Sequence, residues 1–287
     1  ELVSASPREF DSQMDYVRSC MTPVSLAEVA DRLDRGEPMP PRAVAVTIDD
    51  GFRDAYVHAY PALRRHGVPA TVFLSTGYVD SGEPFWFELA ASLVIRVPPH
   101  SLPVPGRTIR VPTGASARER QAGVRELLES LKRLRAADRD ALIRDWCRQY
   151  AALLDPQLLE GIRPLGWAQV REMSAGGVEF GSHTVTHPTL SGLCDEDVRR
   201  ELVESRLRLE QQLGRAVNAV AYPLGVPGTY DARIRSMVAD AGYRLALSYR
   251  PGGNWSDTLD RFDARRTGIT AGTDQAHFRV LVRMPDW

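Results

Sequence analysis

The chain has 287 residues, 43% of them hydrophobic, and a formal net charge of −1 at pH 7. We expect a single domain over residues 1–287, because this length and hydrophobic content can supply a sizeable core. The small net charge gives no general attraction to nucleic acid or to an anionic membrane surface. Its 3 cysteines are widely spaced and argue against a disulfide framework. No apolar run approaches the roughly 18 residues of a membrane span.

Helical patterns come before any strand pattern at the start of the chain. Ser6 and Glu9 have the spacing of a capping box, and so do Ser25 and Glu28. The chain begins at Glu1 rather than at a methionine. We therefore interpret the sequence as a trimmed chain that lacks its first strand. The sequence does not decide whether the protein is located in the cytoplasm or in the periplasmic or extracellular space.

Two adjacent carboxylates follow the first strand pattern. Residues 43–46 form a short apolar run, and Thr47-Ile48-Asp49-Asp50-Gly51 follows it. In parallel α/β folds, reactive groups collect at this end of a strand. Two close carboxylates repel each other unless a cation lies between them, so the pattern points to a metal ion. Taken alone, Asp49 and Asp50 fit a helix-capping or turn pair equally well.

The middle of the chain alternates between strand and helix patterns. A short helix at 61–66 precedes a buried strand at 70–74, an order that implies parallel pairing. Residues 97–113 are rich in proline and predict a loop or short hairpin, and residues 118–154 are helical in pattern. We predict a mostly helical insertion around residues 97–165.

Two histidines follow a later strand pattern, at 178–180. In Gly181-Ser182-His183-Thr184-Val185-Thr186-His187 the imidazoles are four residues apart, and on a helical turn they would share one face. Two imidazoles and one carboxylate leave a coordination position open, as in catalytic zinc sites. Without the aspartates, an exposed turn with two chance histidines is the simpler interpretation. The last strand is predicted at 265–269.

Three motifs in order carry a resemblance to a known family. TIDDG, SHTVTH and Ala221-Tyr222-Pro223-Leu224-Gly225 resemble the motifs of the polysaccharide deacetylases, the NodB-homology group of carbohydrate esterase family 4, with an AYPxG variant of the third motif. The resemblance implies an irregular (β/α)7-type barrel, a distorted TIM-like fold. It also implies a metal-dependent hydrolase that removes N-acetyl groups from a sugar in a polysaccharide or oligosaccharide.

The resemblance assigns roles to individual residues. Asp50, His183 and His187 would bind one divalent metal ion, and Asp49 would be the general base. Zn²⁺ is expected from the ligand types, although Ni²⁺ and Co²⁺ accept the same set. The family's usual arginine in the third motif is replaced here by an alanine. Arg266 is our candidate substitute, with a surface ion pair as the equal alternative.

Substrate contacts and the general acid are the remaining expectations. A backbone N–H near Leu224 would help to hold the developing oxyanion, and Tyr222 and Trp86 are further substrate-binding candidates. Trp86 fits stacking on a sugar ring and a core position almost equally well. The only late histidine, His277, lacks the family's Leu-x-His context. We expect the general acid to be missing from this sequence or to be supplied by residues upstream of Glu1.

Two other functions fit the same motifs. Related barrels hydrolyse other amides, and the long insertion only weakly favours an extended groove over a small closed pocket. An inactive relative that binds carbohydrate, or holds metal structurally, would fit the missing arginine and acid. A structural zinc ion, however, is more often coordinated by four protein ligands.

Overall fold

A computed structural model of the protein divides the chain into two compact units, Glu1–Ser81 with Leu165–Trp287, and Gly82–Pro164. The expectation of a single domain over residues 1–287 stays a prediction. The residues that the structure describes are 5–96, 101–104, 107–110, 116–134, 136–154, 156–255 and 259–285.

The first unit is built around parallel strands. A pair near the start consists of β1 (Thr22–Pro23) and β2 (Ala43–Val44). The main sheet contains β3 (Val46–Ile48), β4 (Ala70–Leu74), β7 (Glu179–Ser182), β8 (Ala219–Ala221) and β9 (Leu245–Leu247), hydrogen-bonded in that order. All four of its neighbouring pairs are parallel. This curled, half-barrel sheet confirms the predicted α/β barrel-like fold.

Helices cover the sheet, and their ends follow the local sequence signals. Ser6 and Glu9 form the predicted capping box, and the Ser25 side chain accepts a hydrogen bond from the Glu28 N–H. Among the described residues, no helix is both long and apolar enough to cross a membrane. The helices of this unit are α1 (Pro7–Cys20), α2 (Leu26–Arg35), α3 (Tyr60–His66), α4 (Thr76–Ser81), α9 (Trp167–Ala175), α10 (Asp195–Leu213), α11 (Ala232–Asp240) and α12 (Gln275–Arg283).

The core lies between the sheet and these helices. All five residues of β4 are buried, which fits a strand with neighbours on both sides. Val72 and Val220 pack in one apolar cluster with Leu202 and Leu209 of α10. The periodic apolar face of α10 is therefore what attaches this helix to the sheet.

The second unit is mostly helical, as predicted. It contains α5 (Trp86–Arg96), α6 (Ala117–Leu131), α7 (Ala136–Gln149) and α8 (Pro156–Gly161), with an antiparallel hairpin of β5 (Ser101–Val104) and β6 (Arg107–Arg110). The unit begins earlier than the predicted insertion, at Gly82, and includes α5, which lies before the predicted boundary at residue 97. The other residues assigned to the loop, 97–100, 105–106 and 111–113, lie outside the described residues.

The strand predicted at 265–269 is wrong. Only a single bridge, between Leu247 and Ala264, extends the sheet there. Beyond it the backbone pairs with a loop instead of a strand: the Arg266 N–H donates to the Arg250 carbonyl, 3.0 Å away. The Asn254 side chain brackets the Arg265 backbone with two hydrogen bonds of 2.8 Å. Side-chain and loop contacts therefore replace the ladder that a strand would need.

A close approach in the sheet gives a stability prediction. A Cβ atom at Gly181, in β7, would lie 2.4 Å from Phe73 Cε1 and 2.9 Å from the Ala219 carbonyl oxygen. Gly181→Ala should therefore destabilise the fold by about 1–3 kcal/mol, because packed cores resist added volume. Gly192→Ala is the matched control, since a Cβ atom at Gly192 would meet nothing within 4 Å. Urea unfolding of both variants measures the difference, and equal stabilities would contradict the packing described.

Candidate metal centre and its carboxylate neighbour

Two loops meet above the C-terminal end of β4. Ile48 of β3 pairs with Val72 of β4, and Ser182 of β7 pairs with Leu74. Counting two residues past the first pair brings Asp50 level with Leu74 and Ser182. The register of the three parallel strands therefore places Asp50, and His183 directly after Ser182, at the same edge of the sheet.

Asp50, His183 and His187 form a compact group of potential metal ligands. One ligand atom from each residue lies within 4.8 Å of the others. The Nε2 atoms of His183 and His187 are 3.6 and 3.4 Å from Asp50 Oδ1. Ligands bound at about 2.0–2.2 Å in a tetrahedron are roughly 3.4 Å apart, so these separations fit a shared ion. The donor set, two nitrogens and one carboxylate oxygen, also fits zinc.

His183 is held in the tautomer that a metal ligand needs. Its Nδ1 lies 2.7 Å from the Ala221 carbonyl oxygen, which can only accept a hydrogen bond, so Nδ1 carries the proton. Burial lowers the pKa of His183, although Asp49 and the Ala221 carbonyl act in the opposite direction. The neutral ring therefore presents the lone pair of Nε2 towards Asp50.

The two histidines do not lie on a helical turn, so that expectation is wrong. Residues 183–187, the histidine loop, are irregular, and Thr184 and His187 have φ angles of 69° and 55°. Asp50, on the facing loop, also has a positive φ, 67°. Non-glycine residues in this region cost roughly 1–3 kcal/mol each and persist where surrounding contacts hold them. The imidazoles converge through these turns rather than through helical spacing.

Arg266 lies against Asp49. Its Nη1 and Nη2 atoms donate to Asp49 Oδ1 and Oδ2 at 2.6 and 2.8 Å, a bidentate pair. The guanidinium is also fixed by the Ser248 carbonyl, which accepts from Nε at 2.9 Å. Only 11% of the Arg266 side chain is exposed, against 27% for Asp49, so the pair is not a loose surface contact.

This pairing decides the charge of Asp49. Burial raises the pKa of the carboxyl, but the charge of Arg266, together with the hydrogen bonds from Arg266, outweighs it. The net pKa lies below the ordinary value, so Asp49 is ionised at neutral pH. Asp49 is thus an ionised carboxylate held in place beside the group of potential metal ligands.

The predicted substrate-binding residues have different surroundings. Tyr222 is 1% exposed, and its hydroxyl donates to the Phe262 carbonyl at 2.8 Å. Leu224 is 36% exposed and has a φ of 62°. Trp86 belongs to the second unit, where it is 6% exposed with the Arg139 guanidinium 4.4 Å from its ring centroid. Their substrate contacts stay predictions.

Sequence reasoning missed Glu201. This residue lies on α10, is 4% exposed, and its carboxylate receives hydrogen bonds from the histidine loop. A signal was present: Glu201 falls at helical spacing between Val198 and Leu202, on the apolar face of α10. A charged residue in that position predicts a buried partner.

Comparison with known proteins gives a family and a fold. The family model "Polysaccharide deacetylase" matches residues 36–246. The protein YxkH of Bacillus subtilis is 22% identical over 114 residues, which are 40% of this chain and 39% of that protein. The poly-β-1,6-N-acetyl-D-glucosamine N-deacetylase of Staphylococcus aureus is 34% identical over 77 residues, 26% of each chain. The matches therefore span less than half the length of these curated relatives.

Among solved structures, the Streptococcus pyogenes deacetylase PplD, in complex with acetate, is similar to this chain. The TM-score is 0.65 at 20% identity, and the match covers 99% of this chain and 89% of that one. At this identity the likeness shows the fold alone.

The Arg266–Asp49 pair predicts a pH dependence of stability in metal-free protein. A lowered folded pKa stabilises the fold above the unfolded carboxyl value of about 3.9, and this contribution is lost as the pH falls through the folded pKa. In Arg266→Leu, burial would instead raise the pKa of Asp49. Relative to wild type, the variant should therefore have its lowest free energy of unfolding near neutral pH. This difference in free energy of unfolding should become smaller as the pH falls.

Urea unfolding across about pH 4 to pH 8 measures this gap. In an Asp49→Asn background the effect of Arg266→Leu should lose most of its pH dependence and keep only the part that comes from His183, whose pKa Arg266 also lowers. A gap that keeps the same pH dependence in that background would contradict the assignment to this pair.

Proposed function

The chain belongs to the polysaccharide deacetylase family, and we propose that it is a metal-dependent hydrolase that removes N-acetyl groups from an N-acetylated glycan. One observation carries the proposal. The ligand atoms of Asp50, His183 and His187 lie within 4.8 Å of one another, and the adjacent Asp49 is held by Arg266. This arrangement would suit a three-ligand metal site with a separate base beside it.

The two carboxylates of the TIDDG motif would have different tasks. Asp50 would hold the metal ion with the two imidazoles. A divalent ion bound there would act as a Lewis acid on the acetamide carbonyl and would acidify the attacking water. Zn²⁺ is the first choice for the nitrogen and oxygen donors, and Ni²⁺ or Co²⁺ would suit the same ligands.

Asp49 would be the general base. Its ionised carboxylate takes the proton of the water that attacks the acetamide carbon. Arg266 keeps the carboxylate charged and aims it, because both guanidinium N–H groups bind it in a planar fork. This assigns Arg266 the role of the arginine that is absent at Ala221.

Substrate binding would involve the loop after β8. The backbone N–H of Leu224 would donate to the carbonyl oxygen as negative charge develops on it. The Tyr222 side chain is fixed by the hydrogen bond from its hydroxyl to the Phe262 carbonyl, and it would hold the start of this loop in place. Trp86 stays a candidate for sugar stacking. The general acid that protonates the departing amine would be a group other than Asp49, Tyr222 and Trp86.

The substrate class is an N-acetylated polysaccharide or oligosaccharide. Poly-β-1,6-N-acetyl-D-glucosamine is the first polymer to assay, because the name of the Staphylococcus aureus relative specifies it. Acetate release from N-acetylglucosamine oligomers, compared with release from small acetamides, separates a glycan deacetylase from an amidase of another class. Equal or faster cleavage of small amides would overturn the glycan assignment.

The division of labour between the carboxylates gives a prediction with two readouts. Asp49→Asn should lower metal-dependent acetate release by about 10²–10⁴-fold, the usual contribution of general base catalysis, while bound metal is retained. Asp50→Ala and His183→Ala should lose the metal itself, because each removes one of three ligands. Acetate assays and metal analysis of the purified proteins measure both effects.

His277→Ala is the control, since this residue is exposed on α12 and is not assigned to the site. It should retain both metal and activity. Full activity in Asp49→Asn, or metal binding unchanged in Asp50→Ala, would contradict the proposed roles.

A further inference from the structure

The histidine loop has an unusual hydrogen-bonding pattern. Each of its five backbone N–H groups has an acceptor within the protein. The His183 N–H donates to the Leu74 carbonyl at 2.8 Å. Those of Thr184 and His187 donate to hydroxyls, Ser182 Oγ and Thr184 Oγ1, both at 3.1 Å. The two in the centre of the loop donate to a carboxylate.

That carboxylate is Glu201 of α10. Its Oε2 accepts from the N–H groups of Val185 and Thr186 at 2.7 and 2.9 Å, and its Oε1 accepts from the Thr186 hydroxyl at 2.6 Å. The side chain is 4% exposed. Three hydrogen bonds to one buried side chain therefore attach the centre of the loop to α10, while the Thr184 and Val185 carbonyls accept from the Thr76 and Gly77 N–H groups at the start of α4.

The position of the contact matters for the metal ligands. Val185 and Thr186 lie between the two histidines, and they are flanked by Thr184 and His187, whose φ angles are positive. A loop that holds such conformations needs outside contacts to keep them. Glu201 contacts the residues in between, and α10 is anchored in the core by Val198 and Leu202, which are both fully buried.

We propose that Glu201 is a positioning residue that sets the spacing of His183 and His187 for metal binding. This rests on the proposed function, because it assumes that the two histidines are ligands. Glu201 does not contact the ligand atoms in this scheme. It acts on the loop backbone, so that both Nε2 atoms remain near Asp50 Oδ1 before a metal ion arrives. Contacts that orient metal ligands typically change metal affinity by about 10–100-fold when removed.

The test compares metal affinity in folded variants, measured with Zn²⁺ alone in competition with a chromophoric chelator. Glu201→Ala should bind Zn²⁺ about 10–100-fold more weakly than wild type. Glu201→Gln should largely restore affinity, because its amide oxygen can accept the two N–H bonds and its NH₂ can donate to the Thr186 hydroxyl. Thr186→Val removes one of the three bonds and should cause a smaller loss than Glu201→Ala.

Glu210→Gln is the matched control. Glu210 is also on α10, and its carboxylate accepts from the Val217 N–H and from Arg206 Nε, both at 3.0 Å. It should bind Zn²⁺ like the wild type. The visible absorption of the Co²⁺ forms gives a second readout, and a changed band is expected in Glu201→Ala but not in Glu210→Gln.

The outcomes separate the two proposals. If wild type binds no divalent metal, the proposed function fails. If wild type binds metal and folded Glu201→Ala binds it equally well, only the positioning role is overturned. Equal losses in Glu201→Gln and Glu201→Ala would also overturn it, because charge rather than hydrogen bonding would then matter. If Glu201→Ala does not fold, Thr186→Val decides, and unchanged affinity in that variant contradicts the proposal.

Discussion

The parallel register of β3, β4 and β7 is the constraint on which the site depends. It brings the residues after Ile48 and after Ser182 to one edge of the sheet, above Leu74. A shift of one residue in either pairing would turn the side chains of that strand to the other face. The three potential ligands are distant in sequence, and this register is what allows them to share an ion. Gly181 shows how tightly the strands pack there, since Phe73 and the Ala219 carbonyl leave no room for a side chain.

Asp49 and Asp50 are adjacent in sequence but have different surroundings. Asp49 accepts hydrogen bonds from Nη1 and Nη2 of Arg266. Asp50 Oδ1 instead lies 3.6 Å from Nε2 of His183 and 3.4 Å from Nε2 of His187. Asp50 takes a positive φ, which turns its side chain away from the direction that a regular strand would give it. The same two residues can thus supply a metal ligand and a proton acceptor. Under the proposed function, Arg266 would take, from a distant part of the chain, the place of an arginine that the third motif lacks.

Sequence reasoning predicted the parts that follow from local patterns. Apolar runs and caps located the helix starts at Ser6 and Ser25 and the buried strand 70–74. The paired motifs located Asp50, His183 and His187. The i, i+4 spacing of the histidines suggested a helical turn, but tertiary hydrogen bonds impose an irregular loop with positive φ angles. The strand predicted at 265–269 does not form. Its backbone pairs with the loop after β9 instead, an arrangement that no local signal specifies.

The Glu201 contact shows the same limit in another form. Its place on the apolar face of α10 was readable from helical periodicity, but its partner was not, because Val185 and Thr186 approach it only in the folded chain. Buried polar residues on otherwise apolar faces are therefore informative even when their partners are unknown. Here such a residue connects the core to the loop that carries two potential metal ligands.

Anomalous diffraction from crystals grown with Zn²⁺, collected on both sides of the zinc absorption edge, tests the central claim most directly. The account predicts one zinc ion bonded to Asp50 and to the Nε2 atoms of His183 and His187, at about 2.0–2.2 Å. It also predicts that Asp49 remains paired with Arg266 and outside the coordination shell. A zinc ion bound through Asp49 in place of Asp50, or no zinc ion between the two histidines, would contradict it.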